Sequence, residues 1–118
     1  MSAETRLTHL GLVETAEGIA SGTFSSEEVT RACVERIEAA QPHLNCFIRL
    51  EAEEALETSK AADRARSRGM DLGPLHGVPL AHKDMFYRAG KPSTGGNAIQ
   101  RNFVPNHTAT VMQRLAAA

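Results

Sequence analysis

Apolar and polar positions alternate along the chain in a way that predicts helices first, two short strands next and a loop-rich tail. Leu10, Val13, Ala16, Glu17 and Ala20 mark a first helix of modest amphipathicity, which Gly22 ends by supplying a left-handed cap. A second helix begins at Ser25-Ser26-Glu27-Glu28, an S-x-x-E capping box in which Ser25 and Glu28 satisfy each other's backbone donors. Val29, Cys33, Ile37 and Ala40 then recur at helical spacing until Pro42 stops the pattern. Residues 44–50, LNCFIRL, are short, apolar and partly β-branched, as in a strand. Residues 51–68 are helical, with Ala52, Ala55, Leu56, Ser59 and Ala62 on the apolar face and Gly69 as the stop. Residues 78–83 read as a second strand, bounded by Gly73, Pro74, Gly77 and Pro79. Strand, helix and strand in that order imply a parallel, right-handed βαβ unit. The expected fold class is therefore α/β: N-terminal helices followed by the start of a mixed sheet.

From residue 87 to 107 the chain is loop-like, with Gly90, Pro92, Gly95, Gly96, Asn97 and Pro105. Thr108 has the character of an N-cap for a last helix, TATVMQRLAAA, carrying Val111 and Leu115 at i and i+4. No C-terminal cap follows that helix, and two strands cannot complete a parallel sheet that is normally covered on both faces. Residues 1–118 are thus expected to be a single N-terminal portion of a longer domain, truncated before its remaining motifs.

Composition narrows the function classes. A compact chain of 118 residues buries roughly 65% of its unfolded surface, enough for a modest core. The net charge of −1 leaves no basic stripe for a phosphate backbone, and one Tyr, four Phe and no Trp make no base-stacking platform. No nucleic-acid partner is expected. The N-terminus lacks the basic-then-apolar layout of a secretory signal, and no apolar run reaches the length of a membrane span. The expectation is a cytoplasmic chain with no membrane partner. Cys33 and Cys46 sit in apolar patterns rather than CxxC spacing, which favours two buried, reduced thiols. His9, His43, His76 and His107 show no i, i+4 pairing and no acidic partner at ligand spacing, so no metal site is expected. Gly90-Lys91 is followed by Pro92 and preceded at the fifth position by Met85, so a phosphate-binding loop fails twice.

Candidate chemistry concentrates in residues 73–96, GPLHGVPLAHKDMFYRAGKPSTGG. Its first half resembles the pattern G-P-L-x-G-[VI]-P-x-x-x-K-D of the amidase signature family. Gly90-Lys91-Pro92-Ser93-Thr94-Gly95-Gly96 is similar to that family's G-x-P-[TS]-T-x-G segment, Thr108-Ala109-Thr110-Val111 resembles the start of the helix that follows, and the two N-terminal helices with LNCFI match the lead-in. The resemblance implies an α/β fold with a mixed sheet, here an incomplete amidase signature fold, and a hydrolase that cleaves or transfers small-molecule carboxylic amides. It implies a Ser, cis-Ser and Lys triad with no metal or organic cofactor. Lys83 matches the triad lysine. Both serines belong to a Gly/Ser-rich stretch downstream of this chain, and Ser93 lies in the segment after the lysine, not in the serine motif.

A lysine that serves as a base must be neutral. At the reference pKa of about 10.4 only about 1 in 2,500 lysines is neutral at pH 7, a deficit of about 4.6 kcal/mol that deep burial can close. The apolar lead of Val78, Leu80 and Ala81 is the expected source of that burial. Asp84 is read as a local structural carboxylate in preference to an ion-pair partner of Lys83. Gly95 and Gly96 suit either close backbone approach beside the lysine or a plain turn. Asn97 replaces the family's common Ser, which removes that hydroxyl's contact, and His82 replaces a commonly apolar residue; strand alternation turns it to the opposite face from Lys83.

Two other readings stand beside this one. The chain could be a non-catalytic module that associates with a partner through the exposed edges of its unfinished sheet. Within the family, a glutaminase subunit of an amidotransferase ranks below a free-standing amidase, because GKPSTGGN lacks the T-T-C-A-S-like wording of those subunits.

Overall fold

The computed structural model describes residues 6–118, which form two compact units, one ending at Pro79 and the other covering Leu80–Ala118. Among its described residues the first holds α1 (Leu12–Ser21), α2 (Ser26–Leu44) and α3 (Ala52–Ser67). The second holds a 3₁₀ turn (Ala98–Gln100) and α4 (Thr110–Ala117) among loops.

In the first unit α1 ends at Gly22, whose φ of 76° is the left-handed cap that the sequence pattern predicts. Inside α1, Gly18 is buried for a steric reason: a Cβ there would come within 2.0 Å of the Phe24 ring. The capping box forms as expected at the start of α2. Glu28 N–H donates to Ser25 Oγ at 3.0 Å, and Ser25 N–H donates to Glu28 Oε2 at 2.7 Å. Two further first-turn donors are met from α3, where Asp63 accepts Ser26 N–H at 2.8 Å and Glu27 N–H at 3.0 Å. One carboxylate thereby fills the positive end of α2 and ties it to the helix packed beside it. Ile19, Val29 and Ala32 are the most deeply buried apolar side chains, and burying an Ile or Val contributes about 1.5–3 kcal/mol. α3 also matches its predicted span, with Ser59 buried and Gly69 at a φ of 67° just beyond its end.

The expected start of a mixed sheet, and with it the βαβ unit, is not found. No strand occurs among the described residues, which are helical or irregular throughout. A strand exists only by pairing, and both candidate segments have other partners. At residues 44–50 the chain leaves α2 through Asn45, a non-glycine residue at a φ of 46°. The Gln41 side chain then takes both backbone groups of Phe47, accepting its N–H at 3.1 Å and donating to its C=O at 2.7 Å. At residues 78–83, Val78 N–H closes a turn onto Leu75 O and Pro79 has no N–H to give. Apolar content marked these segments, but backbone hydrogen bonding decided them.

Three smaller expectations change as well. Pro42 does not stop α2: it falls in the last turn, and the helix runs on to Leu44 before Asn45 caps it through Gln41 O. Thr108 does not cap α4, because its Oγ1 accepts Ala89 N–H at 3.0 Å while Ala109 takes the N-cap position. The cysteines differ from one another. Cys33 is half-buried, and that burial pushes its thiol pKa up against the opposing pull of Arg36, whereas Cys46 is exposed.

Candidate functional site

The conspicuous motif of the sequence is divided by the unit boundary after Pro79. Its first half is fastened to helices. Gly77 has a φ of 77°, and a Cβ on it would lie 3.0 Å from Ser26 Cβ and Oγ and 3.2 Å from Ile19 Cγ2. Only glycine combines that backbone with that contact. The fully buried Ser26 hydroxyl donates to the Gly77 carbonyl, and His76 Nε2 donates to Ala62 O at 2.9 Å. A cavity of about 260 Å³ lies beside this loop, lined by Ala16, Ala20, Leu72, Gly73, Pro74 and His76. Its lining is mostly apolar, with His76 as the ionisable side chain among these residues. This half of the motif is a docking device for the chain that leads to Lys83.

The second half gathers around Asp84. Its carboxylate accepts both the backbone N–H of Thr94, at 3.0 Å, and the Thr94 hydroxyl. Its own carbonyl accepts Gly95 N–H at 2.8 Å and, at 3.5 Å, the hydroxyl of the buried Ser93. Gly95 and Gly96 follow with φ of 58° and 73°, a left-handed pair that bends the loop sharply. Further out, Ser93 N–H donates to Phe103 O, Gly90 N–H to Pro105 O and Ala109 N–H to Tyr87 O. The Tyr87 ring stacks obliquely on Phe103 at 5.4 Å and edge-on with His107 at 5.3 Å. A loop-rich unit is thus held by backbone hydrogen bonds and three rings.

Lys83 immediately precedes the clamped Asp84, and its side chain is exposed. The apolar lead does not shield it, since Leu80 is 57% exposed and Ala81 is exposed too. Asp84 is the structural carboxylate that the sequence favours, with Thr94 as its partner. His82 is exposed and donates from Nδ1 to the Lys83 carbonyl at 3.0 Å, so no strand face separates it from its neighbour. Asn97 takes a local role, its side chain accepting Ile99 N–H at the start of the 3₁₀ turn. The contacts of Ser26 with Asp63 and Gly77, and of Thr94 with Asp84, are not evident from the sequence. A serine or aspartate inside a helical pattern gives no sign of a contact 37 or 51 residues away. Thr94 did carry a signal, because it sits in a motif whose glycines demand a fixed turn. Among the described residues no three His, Cys, Asp or Glu side chains are placed to hold a metal ion, and no helix is long and apolar enough to cross a membrane.

Comparison with known proteins places these features in a family. The family described as Amidase matches residues 28–118, a span that includes the Asp84 clamp and most of the helical frame. The chain belongs to the amidase family. Among curated proteins, this amidase-family chain is 46% identical over 109 residues to a glutamyl-tRNA(Gln) amidotransferase subunit from Pseudomonas fluorescens, covering 92% of the chain and 22% of that protein. The corresponding glutamyl-tRNA(Gln) amidotransferase subunit from Chloroflexus aurantiacus is 40% identical over 114 residues, covering 97% of the chain and 23% of the relative. Among solved structures, fatty acid amide hydrolase superposes with a TM-score of 0.90 at 29% identity, over 99% of the chain and 21% of that structure. A structure described as a vestigial protein complex that reveals the origins of an s-triazine catabolic enzyme gives a TM-score of 0.84 at 36% identity, over 92% of the chain and 24% of its own. The chain therefore spans between a fifth and a quarter of the length of these relatives.

Proposed function

We propose that residues 1–118 are the lysine-bearing N-terminal portion of an amidase signature enzyme that hydrolyses small-molecule carboxylic amides, with Lys83 as the base of a Ser, cis-Ser and Lys triad. The observation that carries this reading is the clamp at Asp84, which joins the K-D pair to the S-T-G-G segment, the two parts of the motif most specific to the family. In the proposed mechanism the neutral Lys83 amine takes a proton, through a bridging serine, from the serine that attacks the amide carbonyl. The C–N bond breaks as that proton passes to the leaving amine, and water then releases the acyl group from the serine ester. Neither serine is placed on this chain, so the chain alone is inactive on this reading. The exposure of Lys83 here means that its desolvation falls to the rest of the catalytic domain. No metal or organic cofactor enters the scheme, and a cytoplasmic setting goes with it.

The test is made on the parent protein. Its reading frame should continue into a Gly/Ser-rich segment, and Lys83→Met should lower kcat for amide hydrolysis by about 10²- to 10⁴-fold, the usual worth of a general base. A Lys83→Met protein that turns over at the parent rate would sink the assignment.

A second reading within the family gains support from the relatives, which are amidotransferase subunits at 40–46% identity. The T-T-C-A-S wording carries little weight against that. On this reading the parent protein is one component of an amidotransferase and draws its nitrogen from glutamine. Ammonia release from glutamine, compared with release from simple aliphatic and aromatic amides, separates the two. The third reading, partner binding through a sheet edge, loses its basis because the described residues contain no strand.

A further inference from the structure

We infer that Asp84 and Thr94 are positioning residues for Lys83, setting the direction of the lysine through the backbone rather than by contact with it. The inference rests on the proposed role of Lys83 as the base. Four hydrogen bonds converge on the single residue that follows Lys83: two from Thr94 to the Asp84 carboxylate, and two from Gly95 N–H and the Ser93 hydroxyl to the Asp84 carbonyl. Those bonds hold the Asp84 side chain and the Asp84–Met85 peptide plane, while the Lys83 carbonyl, accepting Phe86 N–H at 3.2 Å, holds the Lys83–Asp84 plane on the other side of the same residue.

The lysine on the other side of that plane is exposed and long, with four side-chain torsions of its own. Its direction is therefore set at the root, where the chain is held, and not along its stem. The loop is suited to this work. Ser93 is buried, and Gly95 and Gly96 adopt positive φ values that most other residues reach only with strain, so residues 93–96 form a stiff abutment for Asp84. Thr94 gives the clamp both of its side-chain bonds, one from the backbone and one from Oγ1. Serine preserves both donors. Valine preserves shape and the backbone donor but loses the hydroxyl, and Asp84→Asn keeps the size while weakening a charge-assisted acceptor.

Misplacing a catalytic group by about 1 Å costs up to about 100-fold in rate. In the parent enzyme, Thr94→Val should lower kcat by about tenfold to 100-fold with KM within about twofold and the melting temperature nearly unchanged, while Thr94→Ser should restore most of the rate. Asp84→Asn should follow Thr94→Val, and the double variant should be no slower than the slower single one, because both act on one clamp. Parent-like kcat in Thr94→Val, with Lys83→Met inactive, would overturn the positioning role and leave the base assignment standing. A fall in kcat matched by a rise in KM and a lower melting temperature, with no rescue by serine, would overturn it as well, since that is the mark of a merely structural residue. Should Asp84→Asn fail to fold, Thr94→Val and Thr94→Ser decide alone. Parent-like turnover in Lys83→Met would remove the base role itself and this inference with it.

Discussion

In the unit that ends at Pro79, three helices bury Ile19, Val29 and Ala32 and meet at polar joints made by Asp63 and Ser26, whereas Leu80–Ala118 is held mainly by loop hydrogen bonds around Asp84, with Met112 its deeply buried large apolar residue. The first is a helical frame and the second a clamped loop that bears Lys83. The difference explains why one short motif needs two kinds of residue. GPLHGVP is rich in glycine and proline because it must lie flat against helices, and LAHKD is followed by a Thr-Gly-Gly loop because it must be clamped. Within the first unit, the loop at 73–79 is fastened to the helices through Gly77.

The contrast can be strained most severely at its joint. Gly77→Ala forces a Cβ into a left-handed backbone and against Ser26, and should destabilise the helical unit by about 3 kcal/mol in urea unfolding followed by circular dichroism. A loss below about 0.5 kcal/mol would mean that the loop is not docked as described. Asp63→Ala leaves two first-turn N–H groups of α2 without their acceptor and should cost about 2 kcal/mol by the same measurement. In the other unit, Asp84→Ala should act locally. Amide exchange at Thr94 and Gly95 should quicken by about tenfold or more while the helices keep their protection, and uniform loosening would erase the distinction between frame and clamp.

The smallest expected effect concerns the capping box. Ser25→Ala should cost about 1 kcal/mol. Glu28 is held below the ordinary glutamate value, first by the Ser25 backbone N–H and then by its hydroxyl. Because the folded value is the lower one, this contribution is present above 4.5 and is lost as the pH falls through the folded value. Urea midpoints of the parent and Ser25→Ala chains should converge as acid is added, and only slightly, because Glu28 is exposed and screened by solvent. A gap that stays constant with pH would detach Glu28 from the cap.

The helices were legible in the sequence because their causes are local. The 3.6-residue spacing, the Ser25 to Glu28 box and the glycines at 22 and 69 all act within a turn or two. The strands were misread because an apolar, β-branched run such as residues 44–50 carries no information about what it pairs with, and Gln41 answers that question from inside a helix. At the candidate site the motif marked Lys83 and favoured a local structural role for Asp84, whose carboxylate is held by Thr94. It could not reveal that the apolar residues before Lys83 stand exposed, since burial is a property of what surrounds a segment. The Thr94 partner lies ten residues from Asp84, in a Thr-Gly-Gly turn whose glycines already mark a fixed bend.

The hydrogen bond from Ser26 to Gly77 has a consequence for the order of events during folding. It joins positions 51 residues apart, so its loop-closure cost is met only once the intervening chain has been gathered in by α2 and α3. Helical turns close within microseconds, and contacts of long sequence separation follow. The path into the lysine segment is therefore expected to be the last part of the frame to lock, and pulse-labelled amide exchange should find the Val78 N–H protected after those of α2. A chain caught before that moment would be helical by every spectroscopic measure and still have its 73–79 loop unfastened.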